Sequence, residues 1–248
     1  MQEFYIKDDN IRLHAKLEMP EGKERCPLLI IFHGLTGHME EGQIVAVAEG
    51  MKDIGFAALR VELYGHGQSE GDFKEHTMFK WIANAMTVID YVKTLDFVTD
   101  IYLCGHSQGG LLAMIAAGMR ADDIKAIILM APALVIPDGA RKGSMLDVTF
   151  DPAHIPDTLP LGSYRISGNY FRCAQLIHAE DAINRYPKPV LFLHGDKDTA
   201  VPLEYSINAS KLYKNSQLVI LPDDNHDFDL HLDTVVQSIQ DFLLETVK

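Results

Sequence analysis

A serine between two glycines stands at the end of an apolar run, and its surroundings favour a nucleophile. The run Ile101-Tyr102-Leu103-Cys104 leads into Gly-His-Ser-Gln-Gly at 105–109, and an Ala-, Leu- and Met-rich segment follows at 111–119. This order predicts a strand, a sharp turn and a helix. A hydroxyl at such a turn projects free of its neighbours, and the N–H groups that open the helix can face an oxyanion. Ser107 is therefore the candidate nucleophile, with an ordinary Gly-rich turn as the alternative.

Two further polar residues follow apolar runs, at positions suited to activating a serine. Asp198 comes shortly after the run 190–193, and His226 comes shortly after the run 218–221. In an open parallel sheet the site lies at the carboxyl ends of the strands, so both side chains can meet Ser107 there. His226 would take the serine proton as general base, and Asp198 would orient the imidazole and stabilise its cation.

Other residues near these two leave alternatives open. Asp196 is the competing acid, but Asp198 lies further past the strand end, where a loop can turn its carboxylate back toward His226. The segment from His226 to His231 also contains Asp227 and Asp229, a composition found at metal sites. Its two histidines are five apart, whereas four places both on one helix face, so we predict no metal here. A serine nucleophile activated by His226 and Asp198 is also expected to need no cofactor.

Ester hydrolysis passes through an oxyanion, which requires two hydrogen-bond donors near the nucleophile. The backbone N–H of Gln108 is one candidate, and that of Leu35, in the loop His-Gly-Leu-Thr-Gly at 33–37, is the other. Three histidines in or near these loops are predicted to hydrogen-bond loop backbone rather than to transfer protons. They are His33, His66 and His106.

Apolar runs of strand length alternate with segments of helical periodicity along most of the chain. This alternation predicts an α/β fold with a mostly parallel central sheet and helices on both faces, preceded by an antiparallel hairpin around residues 8–10. The rhythm breaks at 132–186, a Pro-rich segment too long for an ordinary connection. We predict a core formed by 1–131 and 187–248, with 132–186 inserted as a small lid.

Composition restricts the partners and the compartment. The net charge of −13 argues against nucleic acid, because phosphate binding requires clustered Lys and Arg. The three cysteines show no metal-ligand spacing and no disulfide framework. The N-terminus has no pattern of a secretory signal, and the chain contains no run of about 18 apolar residues. A cytoplasmic protein without membrane association is expected.

With these motifs in place, the chain resembles the α/β-hydrolase superfamily from about Leu28 onward. Within it, the chain is most similar to the intracellular bacterial cinnamoyl or feruloyl esterases. The motifs that carry the resemblance are Gly-His-Ser-Gln-Gly-Gly at 105–110, His-Gly-Leu-Thr-Gly at 33–37, Tyr-Gly-His-Gly-x-Ser at 64–69, His-Thr at 76–77, Phe-Val-Thr-Asp-Ile at 97–101, Phe-Asp-Pro-x-x-Ile-Pro-Asp at 150–157, His-Gly-Asp-x-Asp at 194–198 and the late His226.

The resemblance implies a serine carboxylesterase that releases hydroxycinnamic acids from small-molecule esters through an acyl-enzyme on Ser107. It also implies a lid whose polar groups hydrogen-bond the phenolic hydroxyl of the acyl group. Tyr170 matches the family at such a position, and Asp138 matches with ambiguous spacing. Related esterases can pair, so a homodimer is compatible with the resemblance, although no apolar stripe in the sequence demonstrates one.

Three other functions remain open at this level. The same catalytic residues could cleave alkyl esters or thioesters, in the manner of a lipase or a thioesterase. A ligand sensor could retain them and signal through lid closure, although the sequence offers no extension for binding a partner. Peptidase activity is compatible with the fold, but nothing in the sequence marks an amide substrate.

Overall fold

The computed structural model describes residues 1–145 and 148–247, which form twelve strands and eight helices. The strands are β1 Gln2–Asp8, β2 Ile11–Glu18, β3 Cys26–Phe32, β4 Ala57–Val61, β5 Val98–His106, β6 Ile124–Met130, β7 Ser144–Met145, β8 Val148–Thr149, β9 Thr158–Leu161, β10 Tyr164–Ser167, β11 Val190–Gly195 and β12 Ser216–Leu221. The helices are α1 Gly42–Asp53, α2 Met78–Lys93, α3 Gln108–Met119, α4 Val135–Lys142, α5 Gly168–Gln175, α6 Ala179–Arg185, α7 Leu203–Leu212 and α8 Leu232–Thr246.

Eight strands form one sheet in the order β1-β2-β4-β3-β5-β6-β11-β12. The first two pairings, β1 with β2 and β2 with β4, are antiparallel, and every later pairing is parallel. The hairpin predicted around residues 8–10 joins β1 to β2, with Asp9 at φ 46° in its turn. The predicted α/β-hydrolase architecture, a mostly parallel sheet inside two helical layers, is confirmed.

Each central strand is buried on both faces, which explains its uninterrupted apolar sequence. In β3, alternate residues such as Leu28 and Ile30 face one core, while Leu29 and Ile31 face the other. The first core packs beneath α2, α3 and the segment 132–186, and the second packs beneath α1 and α8. Packing on both faces of the sheet therefore fixes the carboxyl ends of the parallel strands.

The segment 132–186 enters after β6 and leaves before β11. It contains α4, α5, α6 and two small antiparallel hairpins, β7 with β8 and β9 with β10. Its last helix, α6, packs closely on α3, where Gly118 faces Ala182 without room for a Cβ atom. The final part of the segment therefore belongs to the helical layer on the sheet, while α4 and the β9–β10 hairpin overhang the strand ends.

No helix within the described part of the chain is long and apolar enough to cross a lipid bilayer.

Candidate active site

Ser107 sits on a strained turn between β5 and α3. Its φ of 55° and ψ of −119° lie in a backbone region that residues with a side chain rarely adopt. Such a conformation persists only where the surrounding turn enforces it. A Cβ atom on Gly105 would overlap the carbonyl of Gly109, and one on Gly109 would overlap the carbonyl of Phe32. The two glycines therefore allow the strand, the turn and the helix to approach closely enough to project the serine from the end of the sheet.

Asp198 and His226 form a hydrogen-bonded pair at the ends of β11 and β12. The Nδ1 atom of His226 lies 2.6 Å from Oδ2 of Asp198. The other carboxylate oxygen accepts the backbone N–H groups of Ala200 and Val201, each at 2.8 Å. The Asp198 side chain is fully buried, whereas that of His226 is 18% exposed. This pairing occupies Nδ1 of the imidazole and leaves Nε2 as its nitrogen available to Ser107.

A second imidazole contacts the same carboxylate. The Nε2 atom of His194, which is fully buried, lies 3.2 Å from Oδ2 of Asp198 and 2.9 Å from the carbonyl of Val201. Its Nδ1 atom lies 2.7 Å from the hydroxyl of Ser206. Burial raises the pKa of Asp198, but the hydrogen bonds from His194 and His226 outweigh it and hold that pKa well below its usual range. The carboxylate is therefore ionised at neutral pH.

His106, the residue before the serine, supports the backbone of His226. Its Nε2 atom donates to the His226 carbonyl at 2.9 Å, and its Nδ1 atom lies 3.3 Å from the amide nitrogen of Gln43. Burial lowers the pKa of His106 to about 3, and the neighbouring His226 adds to the effect. His106 is thus a neutral ring whose two nitrogens serve structure, as the sequence analysis predicts.

The loop 33–37 lies against the nucleophile and is held by two more neutral histidines. A Cβ atom on Gly34 would come within 3.2 Å of the Ser107 Cβ atom. His33 contacts the Gly34 carbonyl at 2.8 Å and accepts from the Leu63 N–H, while His66 accepts from the Thr36 N–H at 3.3 Å. Burial lowers the pKa of His33 to about 3 and that of His66 to about 4.

A cavity of about 320 Å³ opens over the serine and has mostly apolar walls. Ser107, His226 and Leu35 all line it, so the structure brings these three predicted residues to one place. Gln108 begins α3 directly behind Ser107, where the first N–H groups of a helix have no intrahelical acceptor. The remaining lining residues are Thr36, Ala133, Val135, Ile136, Leu161, Gly162, Ser163, Tyr164, Ala200 and Val201.

The two predicted lid contacts, Asp138 and Tyr170, lie outside this wall. Asp138 accepts from the hydroxyl of Tyr205 at 2.5 Å and from Lys142 at 2.8 Å, and it lines a separate groove beside α7. Tyr170 is fully buried, and its hydroxyl donates to the side chain of Gln108. Their orientation differs from the predicted one because each hydroxyl or carboxylate already has a partner within the protein.

The competing acid and the second histidine also have clear positions. Asp196 accepts the backbone N–H of Asp223 at 2.7 Å and so caps a loop rather than reaching His226. His231 pairs with Asp224 at 3.2 Å, whereas His226 pairs with Asp198. The two histidines considered for a metal site therefore turn to different carboxylates.

Sequence reasoning missed the contacts of His194 with Asp198 and with Ser206, and those of the Gln108 side chain with Tyr170 and with His76. His194 carries a sequence signal, because it is a polar residue at the end of a strand that immediately precedes the proposed acid. The contacts of the Gln108 side chain join distant segments, which no local pattern records.

With this geometry established, comparison with known proteins gives the family. A family model described as serine aminopeptidase, S33 (Hydrolase_4) matches residues 23–160, more than half of the chain. The chain belongs to this family of α/β-hydrolases. A solved structure of Est1E from Butyrivibrio proteoclasticus with ferulic acid bound is 52% identical to this hydrolase. The two superpose with a TM-score of 0.97, over 98% of this chain and 99% of that one.

More distant relatives share parts of the sequence. The human palmitoyl-protein thioesterase ABHD10, mitochondrial, is 28% identical over 76% of this hydrolase. Human protein ABHD12B is 26% identical over 91% of it. The alignments span 62% and 66% of the length of these two relatives, respectively. A structure of alpha/beta hydrolase domain-containing protein 10 from mouse superposes with a TM-score of 0.78 at 20% identity, which reflects the shared fold.

Proposed function

We propose that this hydrolase is a serine esterase that cleaves hydroxycinnamate esters, with Ser107, His226 and Asp198 as its triad. The observation that carries the proposal is the apolar cavity directly over Ser107, which also contacts His226 and the loop of Leu35. A flat aromatic acyl group requires an apolar slot that ends at the nucleophile. The similarity to Est1E, solved with ferulic acid, supports the same substrate class.

The proposed reaction has two halves. The Ser107 hydroxyl adds to the ester carbonyl carbon while its proton passes to Nε2 of His226. The resulting oxyanion is stabilised by the backbone N–H groups of Leu35 and Gln108. The C–O bond to the alcohol then breaks, and His226 returns the proton to the departing oxygen. Water repeats the sequence on the acyl-enzyme and releases the acid.

Asp198 keeps the charge balance of this cycle. Its buried carboxylate accepts Nδ1–H of His226, so the ring faces the serine with an unprotonated Nε2 atom. When His226 takes the serine proton, the adjacent anion stabilises the imidazolium. The two backbone N–H groups on the other carboxylate oxygen fix its orientation.

The cavity favours ester substrates over the peptides that an aminopeptidase cleaves, although the family description names an aminopeptidase. An aminopeptidase must bind the free amino group of its substrate, which calls for a carboxylate on the wall. Among the described lining residues there is no Asp or Glu. Long alkyl thioesters are the second candidate, because a palmitoyl-protein thioesterase is among the relatives and the wall is apolar.

Steady-state hydrolysis of methyl ferulate, p-nitrophenyl butyrate and palmitoyl-coenzyme A tests the proposal. We expect the highest kcat/KM on methyl ferulate. Ser107→Ala should lower kcat on every cleaved substrate, by a factor on the order of 10⁶ if the triad acts as a unit. Ser238→Ala, on the outer part of α8, is the matched control and should retain native rates.

Each other outcome has a defined meaning. Preference for the palmitoyl thioester would replace the substrate class and keep the mechanism. Full activity of a folded Ser107→Ala variant would overturn the mechanism itself.

A further inference from the structure

The buried hydroxyl of Tyr170 ties the lid to the residue that follows the nucleophile. Tyr170 lies in the first turn of α5 and is fully buried. Its hydroxyl donates to Oε1 of Gln108 at 2.6 Å, across 62 positions of sequence. Burial raises the pKa of Tyr170 far above its usual value, so the group is a neutral donor at any working pH. The contact is therefore a hydrogen bond between the inserted segment and the start of α3 whose donor keeps its proton.

The other end of the Gln108 amide is anchored by the core. Its Nε2 atom lies 2.8 Å from Nε2 of His76, and both side chains are fully buried. Burial holds the pKa of His76 well below its usual value, so this ring is neutral and its Nε2 atom accepts the amide proton. The ring is clamped in turn between its neighbours: its centroid lies 4.7 Å from that of Trp81 and 5.3 Å from that of Tyr170.

This arrangement leaves one ring nitrogen of His76 without a hydrogen-bond partner in the described structure. With Nε2 accepting, the proton of the neutral ring is on Nδ1, and that buried atom has no hydrogen-bond partner among residues 1–145 and 148–247. An unsatisfied buried donor has lost the hydrogen bond that it makes to water in the unfolded chain, which destabilises the fold. The fold tolerates this loss where it fixes the Gln108 amide on both sides.

We propose that Tyr170 is a positioning residue that aligns the oxyanion hole. This inference rests on the proposed function, in which the backbone N–H of Gln108 donates to the oxyanion. The Ser107 carbonyl, which belongs to the same peptide unit as this N–H, accepts from the N–H groups of Gly110, Leu111 and Ala133. The Gln108 side chain is a second anchor beside this unit, and the two glycines that follow it have no side chain to add another. Tyr170 and His76 hold that anchor from opposite sides and thereby fix the direction of the N–H. The lid thus acts on the chemistry as well as on the substrate.

This role differs from recognition of the phenolic hydroxyl in its kinetic signature. A tyrosine that binds the phenol affects hydroxycinnamates alone and raises KM. A tyrosine that aligns the oxyanion donor affects every ester and lowers kcat, because the interaction tightens only in the transition state. The same loss should appear in the affinity for an analogue of the tetrahedral intermediate.

Tyr170→Phe, which removes only the hydroxyl, provides the test. We expect kcat to fall about ten-fold on both methyl ferulate and p-nitrophenyl butyrate, less than the 10²–10³ lost with a whole oxyanion donor. KM should stay within about two-fold, and a boronic acid that forms a tetrahedral adduct on Ser107 should bind about ten-fold more weakly. The control is Tyr186→Phe, a buried tyrosine whose hydroxyl faces the Ile124 carbonyl away from the cavity.

A second variant approaches the same bond from the core. Gln108→Met keeps the backbone N–H and the volume but loses both amide contacts. It should reproduce the kcat loss, and adding Tyr170→Phe to it should cost nothing further. If Tyr170→Phe fails to fold, the equal loss on both esters in Gln108→Met still tests the inference.

Three results would overturn it. They are unchanged kcat in folded Tyr170→Phe, a loss confined to methyl ferulate with a raised KM, and full additivity in the double variant. Activity that survives Ser107→Ala would instead remove the proposed function, so the two failures can be told apart.

Discussion

The two halves of the cavity wall are built by different forces. The half that comes from the core is fixed by buried polar bonds: Asp198 is held by two histidines, and the loop 33–37 and His226 are held by histidines that contact backbone. The other half, named the lid half after the role we propose for the segment 132–186, is formed by apolar side chains of α4 and by the β9–β10 hairpin, where Tyr164 is 50% exposed. Polar networks fix atoms for chemistry, while the apolar side chains that line the lid half set the shape of the cavity. Tyr170, buried behind that lining, is the lid residue whose hydroxyl joins the polar network of the core.

The largest expected effect is the loss of kcat when Asp198, in the core half, is replaced. Asp198→Asn keeps the shape but favours the wrong imidazole tautomer, so kcat should fall by about 10⁴. Asp196→Asn is the matched control two residues earlier, and its cost should stay below about ten-fold, since Asp196 caps the Asp223 N–H. Steady-state rates on p-nitrophenyl butyrate decide between them. The reverse ranking would mean that Asp196 is the catalytic acid.

The buried histidines of the core half should make the fold sensitive to acid. His33 and His106 have pKa values lowered to about 3, and His66 to about 4, against about 6.5 in the unfolded chain. Below pH 6.5 these histidines become protonated in the unfolded chain but stay neutral in the folded protein. Stability is therefore full above that pH and declines as the pH falls, by about 1.4 kcal/mol per pH unit for each histidine.

Urea unfolding between pH 7.5 and 5 measures this slope. His66→Gln should reduce the slope by the contribution of one proton, even if the variant is less stable overall. Ser238→Ala, the control of the kinetic tests, removes no titratable group and should leave the slope unchanged. Equal slopes in all three proteins would contradict the account of the buried rings.

The smallest effect should come from the lid residue Asp138. It bonds Tyr205 and Lys142 beside α7, and these two groups lower its pKa. Asp138→Asn should therefore change kcat/KM by less than about three-fold, and equally on methyl ferulate and p-nitrophenyl butyrate. Tyr205→Phe, which removes the partner hydroxyl, should match it. A loss confined to methyl ferulate would instead place Asp138 at the phenol and make the lid half as specific as the core half.

The core half follows from sequence because its signals are local. The apolar run 101–104 predicts a strand and the segment 111–119 predicts a helix, and these lie within the observed β5 and α3. Polar residues just past strand ends converge by topology alone, which brings Asp198 to His226.

The structure of the lid half depends on long-range contacts, which the hydrophobic periodicity of the sequence does not reveal. The strands β9 and β10 have four residues each, too short for a reliable alternation, and β9 contains Pro160. The bond between Tyr170 and Gln108 spans 62 positions, so the sequence shows a tyrosine in the lid without showing which way it faces. The unpaired Nδ1 atom of His76 likewise emerges only from three-dimensional packing.

The close approach of Gly105 and Gly109 limits how this enzyme can be engineered. Any side chain at either position would overlap backbone, which cannot move aside without dismantling the turn. A Cβ atom at Gly162, on the hairpin that lines the cavity, would meet nothing within 4 Å, although its φ of +54° favours Gly, Asn or Asp. Directed evolution toward new substrates should therefore leave the turn 105–109 unchanged and concentrate its libraries on the hairpin tip at 162–164.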